Sequence, residues 1–169
     1  IQNEFKKPMV FKNIFGSYHL KKLCEILDKV IYIYITRDSI DTAISILGAR
    51  KKYYSDLNTW WSYMPIEYEA LKEKDYWEQI AGQVFYLKKY YENEIKKHDL
   101  NNVVSVTLKE LSHSPQKVLE KITDLSIKLY NYDIKIENRP PEKFPFRTYT
   151  NNNEEKEKFK FYLNKLENE

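Results

Sequence analysis

The sequence predicts an α/β fold in which parallel strands are layered with helices. Segments typical of strands alternate with segments typical of helices along the 169 residues, as in parallel sheets with helical crossovers. The segment Lys29–Thr36, KVIYIYIT, is almost purely β-branched and aromatic, which indicates a strand buried on both faces. Hydrophobic residues make up 42% and charged residues 31% of the chain, a globular balance that excludes wholesale disorder and fits a single domain.

The first part of the chain predicts a strand, a helix, a strand and a helix in succession. Met9–Lys12 forms a short apolar run after Pro8, which predicts a strand. Tyr18–Leu27 carries apolar residues at the i, i+3, i+4, i+7 spacing of an amphipathic helix. After the strand Lys29–Thr36, Asp38 or Ser39 is the expected N-cap of a helix that frays near Gly48–Lys52.

The rest of the chain predicts two long helices, a strand and a final helix. In order, the segments are a loop at Tyr53–Pro65, the longest helix at Tyr76–Lys97, a strand at Asn102–Leu108, a helix from Ser114 to about Leu129, an extended Pro-rich segment at Arg139–Phe146 and a helix at Glu154–Leu166.

Bulk charge and cysteine usage narrow the classes of partner. The formal net charge is +3, with 28 basic and 25 acidic residues mixed along the chain, so no nucleic-acid partner is expected. Cys24 is the single cysteine and no N-x-[ST] sequon occurs, which favours a reducing, cytoplasmic compartment. The longest apolar run, Val30 to Ile35, is far shorter than the roughly 18 residues of a membrane span.

One pair of residues predicts a phosphate site. Arg37 stands at the end of the strand Lys29–Thr36, and Ser45 lies in the next helix. Ligands of open α/β sheets bind beyond the carboxyl ends of the strands, where the fork of Arg37, the Ser45 hydroxyl and the helix start would favour an anion. The alternative is that Arg37 pairs with Asp38 or Asp41 and that Ser45 is a small packing residue.

The stretch Ile31–Ser45, IYIYITRDSIDTAIS, resembles the core signature of PAPS-dependent sulfotransferases of the bacterial type. That signature is a hydrophobic strand, then Arg-Asp/Asn-Pro, then an Asp, an Ala and a Ser on the following helix. In the family the Arg and the Ser bind the 3′-phosphate of PAPS, and they correspond to Arg37 and Ser45. Ser39 stands where the family usually has proline, which only presets the first helical turn.

Looser likenesses follow in the same order, so that the resemblance covers about residues 9–130. Val10-Phe11-Lys12 resembles the preceding strand, Leu57–Pro65 with Gln79 and Gln83 resembles the Trp-Trp…Pro segment and the Gln-bearing helix, and Val103–Ser114 resembles the strand and loop that usually read Tyr-Glu-Asp-Leu. The resemblance implies a P-loop-NTPase-like three-layer fold, with a central parallel sheet flanked by helices. It also implies PAPS as co-substrate, adenosine 3′,5′-bisphosphate as product, no metal, and a small-molecule or carbohydrate acceptor.

The remaining site candidates are single residues. The family often supplies a basic loop over the 3′-phosphate, for which Arg139, Lys143 and Arg147 are candidates; a solvated loop is the alternative. Lys12 and His19 are candidates for the catalytic residue, although His19 does not match the position at which many members have a histidine, two after the lysine. Trp60 and Trp61 either line a pocket or fasten their loop to the domain.

The family's other donor site is an N-terminal strand, phosphosulfate loop and helix, which has no counterpart in this sequence. The chain has three glycines, none of them in a Lys/Ser/Thr loop after a strand, and it begins with Ile1. The expectation is a sulfotransferase domain at residues 1–169 that lacks this segment because the sequence begins inside a longer polypeptide. The alternatives are a P-loop nucleotide kinase-like enzyme and a non-catalytic relative that binds a nucleotide or a partner.

Overall fold

The computed structural model describes residues 7–12, 15–146, 148 and 153–168. The chain divides into two compact units, of which the first comprises Ile1–Thr36 and Glu94–Phe146 and the second Arg37–Asn93 and Arg147–Glu169. That residues 1–169 form a single domain stays a prediction.

From residue 18 onwards the helices and strands follow the predicted order, with two short helices added. A 3₁₀ helix at Phe15–His19 is followed by α1 (Leu20–Ile26), β1 (Tyr32–Thr36), α2 (Ser39–Tyr53), α3 (Tyr68–Leu71), α4 (Tyr76–Lys97), β2 (Val103–Thr107), α5 (Leu108–His113), α6 (Pro115–Tyr130) and α7 (Asn153–Glu167). The long helix α4 has the predicted bounds. The short helices α3 and α5 were not predicted.

The sheet of the first unit confirms the predicted parallel pairing. Strand β1 pairs with β2 in a register that runs from Tyr32 opposite Val103 to Thr36 opposite Thr107. Within the described residues the sheet has these two strands, so the three-layer arrangement is not seen there and the mixed α/β class is what the structure shows. Strand β2 buries Val104 and Val106 against helix α6.

Two predictions about strands are wrong. Strand β1 is not buried on both faces, because Ile33 and Ile35 are 39% and 46% exposed. Its apolar sequence therefore reflects β-propensity as well as burial. Residues 9–12 form no strand, and Val10 is 86% exposed. No strand of the described residues pairs with this segment, and an unpaired strand has no ladder to stabilise it.

The core of the second unit lies among helices α2, α4 and α7. Its buried members are Ala43, Ile44, Leu47, Ile80, Ala81, Val84, Phe159 and Leu163. Of the two predicted candidates, Asp38 and not Ser39 is the N-cap of α2, and its Oδ1 accepts a hydrogen bond from the Asp41 backbone N–H at 2.8 Å. The helix continues through Gly48–Lys52 to Tyr53, because Arg50 in its last turns is fully buried.

Helix α5 begins with a capping box between Thr107 and Glu110. The Thr107 Oγ1 accepts from the Glu110 N–H at 3.0 Å, and the Glu110 Oε2 accepts from the Thr107 N–H at 2.8 Å. These bonds satisfy backbone groups that a helix start otherwise leaves open. The Thr-x-x-Glu spacing is the sequence signal of this capping box. The predicted strand Asn102–Leu108 runs past Thr107, so the prediction does not include this helix start.

We expect Glu110 to make stability depend on pH in the acid range. The Thr107 N–H first, and then Lys121 and the Thr107 hydroxyl, lower the pKa of the Glu110 carboxyl from 4.5 to about 2. A carboxyl with a lowered folded-state pKa stabilises the fold above pH 4.5 and loses that contribution as the pH falls towards 2. Urea unfolding at pH 5 and pH 2.5 should therefore show a smaller acid loss in Glu110→Gln, which keeps an acceptor but does not titrate. Glu142→Gln, at an exposed position, is the control, and equal acid losses in the two variants would contradict the assignment.

Candidate anion-binding site

Arg37 begins the second unit and lines a cavity of about 270 Å³. It follows directly on the last residue of β1 and precedes the N-cap of α2. The charged residues that line the cavity are Arg37 and Asp38, Lys88 of α4, and Lys160 and Glu167 of α7. Helix packing in this unit therefore brings together cations that are distant in the sequence.

The lining of this cavity has a cationic excess. Three cations, Arg37, Lys88 and Lys160, face two carboxylates, Asp38 and Glu167, so the formal charge of these residues is 3 − 2 = +1. One of the two carboxylates is already engaged, since Asp38 caps α2 through the Asp41 N–H. The arrangement suits an anion more than a cation or an apolar ligand.

Ser45 is not among the described residues that line this cavity. It is half-buried on α2 and lies five positions after Ile40 at the cavity, or about 7.5 Å along the helix axis. The structure thus places Arg37 in a cavity just before α2 and Ser45 further along that helix. An anion held by both must reach along α2 from the cavity.

Sequence reasoning missed Lys88 and Lys160. Each lies on the exposed side of an amphipathic helix, where a lysine is ordinarily solvated. No local motif links either lysine to Arg37, because the link is made only by the packing of α4 and α7 in the second unit.

The other predicted site residues lie elsewhere. Lys12 is exposed in the irregular segment 7–12, His19 is exposed at the end of the 3₁₀ helix, and Arg139 and Lys143 are exposed in the irregular segment 131–146. All four belong to the first unit. Arg147 lies outside the described residues.

Helix α4 fastens the segment that contains Trp60 and Trp61. The Gln83 side-chain amide donates to the Trp61 and Tyr63 carbonyl oxygens at 2.8 and 2.7 Å. Trp61 stacks on Tyr53 with ring centroids 4.9 Å apart. The two segments that the resemblance paired, Leu57–Pro65 and the Gln-bearing helix, are thus in contact, and the two tryptophans fasten the loop.

A second glutamine of α4 binds the fully buried Arg50. The Arg50 Nη1 donates to the Gln79 Oε1 at 2.7 Å and to the Leu57 carbonyl oxygen at 2.8 Å. The guanidinium also lies over the Trp60 ring, 5.3 Å from its centroid. Burial lowers the pKa of Arg50 to about 10, which still leaves it charged at neutral pH. Through these contacts Arg50 of α2 connects α4 to the segment that contains Leu57 and Trp60.

Neither a metal site nor a membrane span is found among the described residues. No group of three or more His, Cys, Asp or Glu side chains is arranged to hold a metal ion among them. No helix in this part of the chain is both long and apolar enough to cross a membrane.

Comparison with known proteins identifies no relative of this chain. No family model, no curated protein and no solved structure matches it. The interpretation of the cavity therefore depends on its own residues and on the sequence resemblance described above.

Proposed function

We propose that this chain carries the 3′-phosphate part of the donor site of a PAPS-dependent sulfotransferase. The observation that carries the proposal is that Arg37, which matches the signature arginine, lines a cavity together with Lys88 and Lys160. A cationic cavity directly after a parallel strand is where an α/β fold binds an anionic ligand. Ser45 is proposed as a second phosphate ligand, further along α2.

The role of these residues is to hold and orient the donor. An acceptor O–H or N–H loses its proton to a base while its oxygen or nitrogen attacks the sulfur of PAPS. The S–O bond to the nucleotide breaks, and adenosine 3′,5′-bisphosphate leaves. The planar fork of Arg37 is suited to a phosphate, and a fixed donor makes the in-line geometry more frequent.

Two further observations support the proposal. Gln83 holds the Trp61 and Tyr63 backbone, which joins segments that resemble parts of one sulfotransferase domain. The parallel pairing of β1 with β2 is compatible with the P-loop-NTPase-like three-layer fold, which is the finer architecture that we propose. The proposal includes a small-molecule or carbohydrate acceptor and a cytoplasmic location.

The first test is binding of adenosine 3′,5′-bisphosphate by calorimetry. We expect Arg37→Ala to weaken binding by about 10- to 100-fold, because a charge-assisted hydrogen bond contributes about 1.5–3 kcal/mol. Ser45→Ala should weaken it by about fivefold, the effect of one neutral hydrogen bond of about 1 kcal/mol. Lys128→Ala, at an exposed cation of the first unit to which no part of the site is assigned, is the control. Equal affinities of the wild type and Arg37→Ala would refute the assignment.

The same measurement separates the alternatives. A nucleotide kinase-like enzyme should prefer ADP or ATP with Mg²⁺ over the 3′,5′-bisphosphate. A non-catalytic relative that binds another nucleotide or a partner should fail to bind the bisphosphate.

A further inference from the structure

Helix α7 presents a continuous stripe of residues to the cavity that contains Arg37. Lys160, Leu163, Asn164 and Glu167 all line this cavity. Their spacing of i, i+3, i+4 and i+7 places them on one face of a helix. This stripe forms one wall of the cavity. It contains one cation, Lys160, which attracts a bound anion, and one carboxylate, Glu167, which repels it.

The backbone of α7 is held in place beside this wall. Phe159, next to Lys160 in the chain, is fully buried, and Leu163 is 6% exposed. At the start of the helix, Glu155 forms an ion pair with Lys51 of α2, with 2.6 Å between Nζ and Oε1. Lys160 therefore extends from an anchored helix, which positions a binding group more accurately than a loop does.

Lys88 and Arg37 line the same cavity from α4 and from the start of α2. Like charges that share a small space repel one another, and an anion relieves that repulsion. Both carboxylates oppose an entering anion. Asp38 also caps α2 through the Asp41 N–H, so Glu167 is the carboxylate that can be replaced without removing a helix cap. The cavity of about 270 Å³ is below the roughly 300–1,000 Å³ of pockets for whole small molecules, which fits a phosphate group better than an entire nucleotide.

We infer that Lys160 is a further phosphate-binding residue of this cavity and that Glu167 limits its affinity. The inference rests on the proposed function, and it specifies that the ligand part held here is a phosphate monoester enclosed by α2, α4 and α7. Arg37 binds it from the segment just before α2, Lys160 binds it from α7, and Lys88 adds positive charge from α4. Glu167 competes with the phosphate for these cations.

The test measures calorimetric affinities for adenosine 3′,5′-bisphosphate and for inorganic pyrophosphate with variants of α7. We expect Lys160→Met to weaken bisphosphate binding about tenfold, the effect of a lost charge-assisted contact of about 1.5 kcal/mol. Glu167→Gln should strengthen it about threefold, since a competing charge is removed. Lys156→Met and Glu157→Gln, on the same helix but not among the described residues of this cavity, are the matched controls and should bind as the wild type does.

The outcomes distinguish this inference from the proposed function. If Arg37→Ala loses bisphosphate binding while Lys160→Met retains it, or if Glu167→Gln binds more weakly, the role of α7 is wrong and the proposed function stands. If the wild type binds pyrophosphate in a Lys160-dependent way but not the bisphosphate, the cavity holds phosphate and the sulfotransferase proposal is wrong. If neither probe binds, both are overturned. Should Lys160→Met fail to fold by circular dichroism, Lys160→Gln replaces it.

Discussion

Arg50→Ala is expected to lower the free energy of unfolding by about 3 kcal/mol, because it leaves one buried and one part-buried acceptor without a donor. These acceptors are the Gln79 Oε1 and the Leu57 carbonyl oxygen. The change also removes the guanidinium from the Trp60 ring and leaves space where a fully buried side chain stood. A loss of this size is a large fraction of the about 5–15 kcal/mol that keeps a domain folded.

Arg50→Met separates the hydrogen bonds from the packing. Methionine fills most of the same volume and avoids the cost of burying a charge, so its loss should be about half that of Arg50→Ala. Urea unfolding with linear extrapolation measures both changes. Arg139→Ala, at an exposed position, should stay within about 0.5 kcal/mol of the wild type. An Arg50→Ala variant as stable as Arg139→Ala would show that the buried network contributes nothing to stability.

Phe159→Ala is expected to cost about 3–5 kcal/mol, the usual range for a buried phenylalanine. The Phe159 side chain is fully buried, and its ring meets the Trp77 ring edge-on with centroids 4.9 Å apart. It packs in the cluster formed by α2, α4 and α7. Losing it should release α7 and with it the wall that contains Lys160, so bisphosphate affinity should fall together with stability.

Phe161→Ala is the matched control, since it removes the same side chain from the same helix at a position that is 65% exposed. We expect it to cost less than about 1 kcal/mol. The measurement is again urea unfolding, with calorimetry of bisphosphate binding on both variants. Similar losses for Phe159→Ala and Phe161→Ala would contradict the core position of Phe159.

Much of the fold could be predicted because local patterns agree with the packing. The apolar stripe of Tyr76–Lys97 gives the bounds of α4, and the N-cap of α2 is narrowed to Asp38 or Ser39 because a capping side chain acts within one turn. The predictions failed where the structure or burial of a segment depends on contacts with residues distant in the sequence. Residues 9–12 have an apolar sequence but no strand to pair with, and the exposure of Ile33 and Ile35 depends on which elements cover β1.

Only the residue of the candidate site that has a local sequence signal could be predicted. Arg37 is recognisable because it directly follows a strand and precedes a helix cap, so its position in the fold is fixed by its neighbours in the chain. Lys88 and Lys160 are exposed lysines on long helices. They line the same cavity as Arg37 only because of the packing of the second unit. Lys143, which the resemblance makes a candidate for a basic loop over the phosphate, is not among the described residues that line this cavity.

The division of the chain has a consequence for how the protein folds. Each unit is assembled from two separate stretches, since Arg37–Asn93 lies between the halves of the first unit and Glu94–Phe146 between the halves of the second. The pairing of Tyr32 with Val103 must therefore close a long loop, and such non-local contacts form slowly. No single cut in the chain yields one complete unit. During synthesis, neither unit is complete until the ribosome has made part of the other.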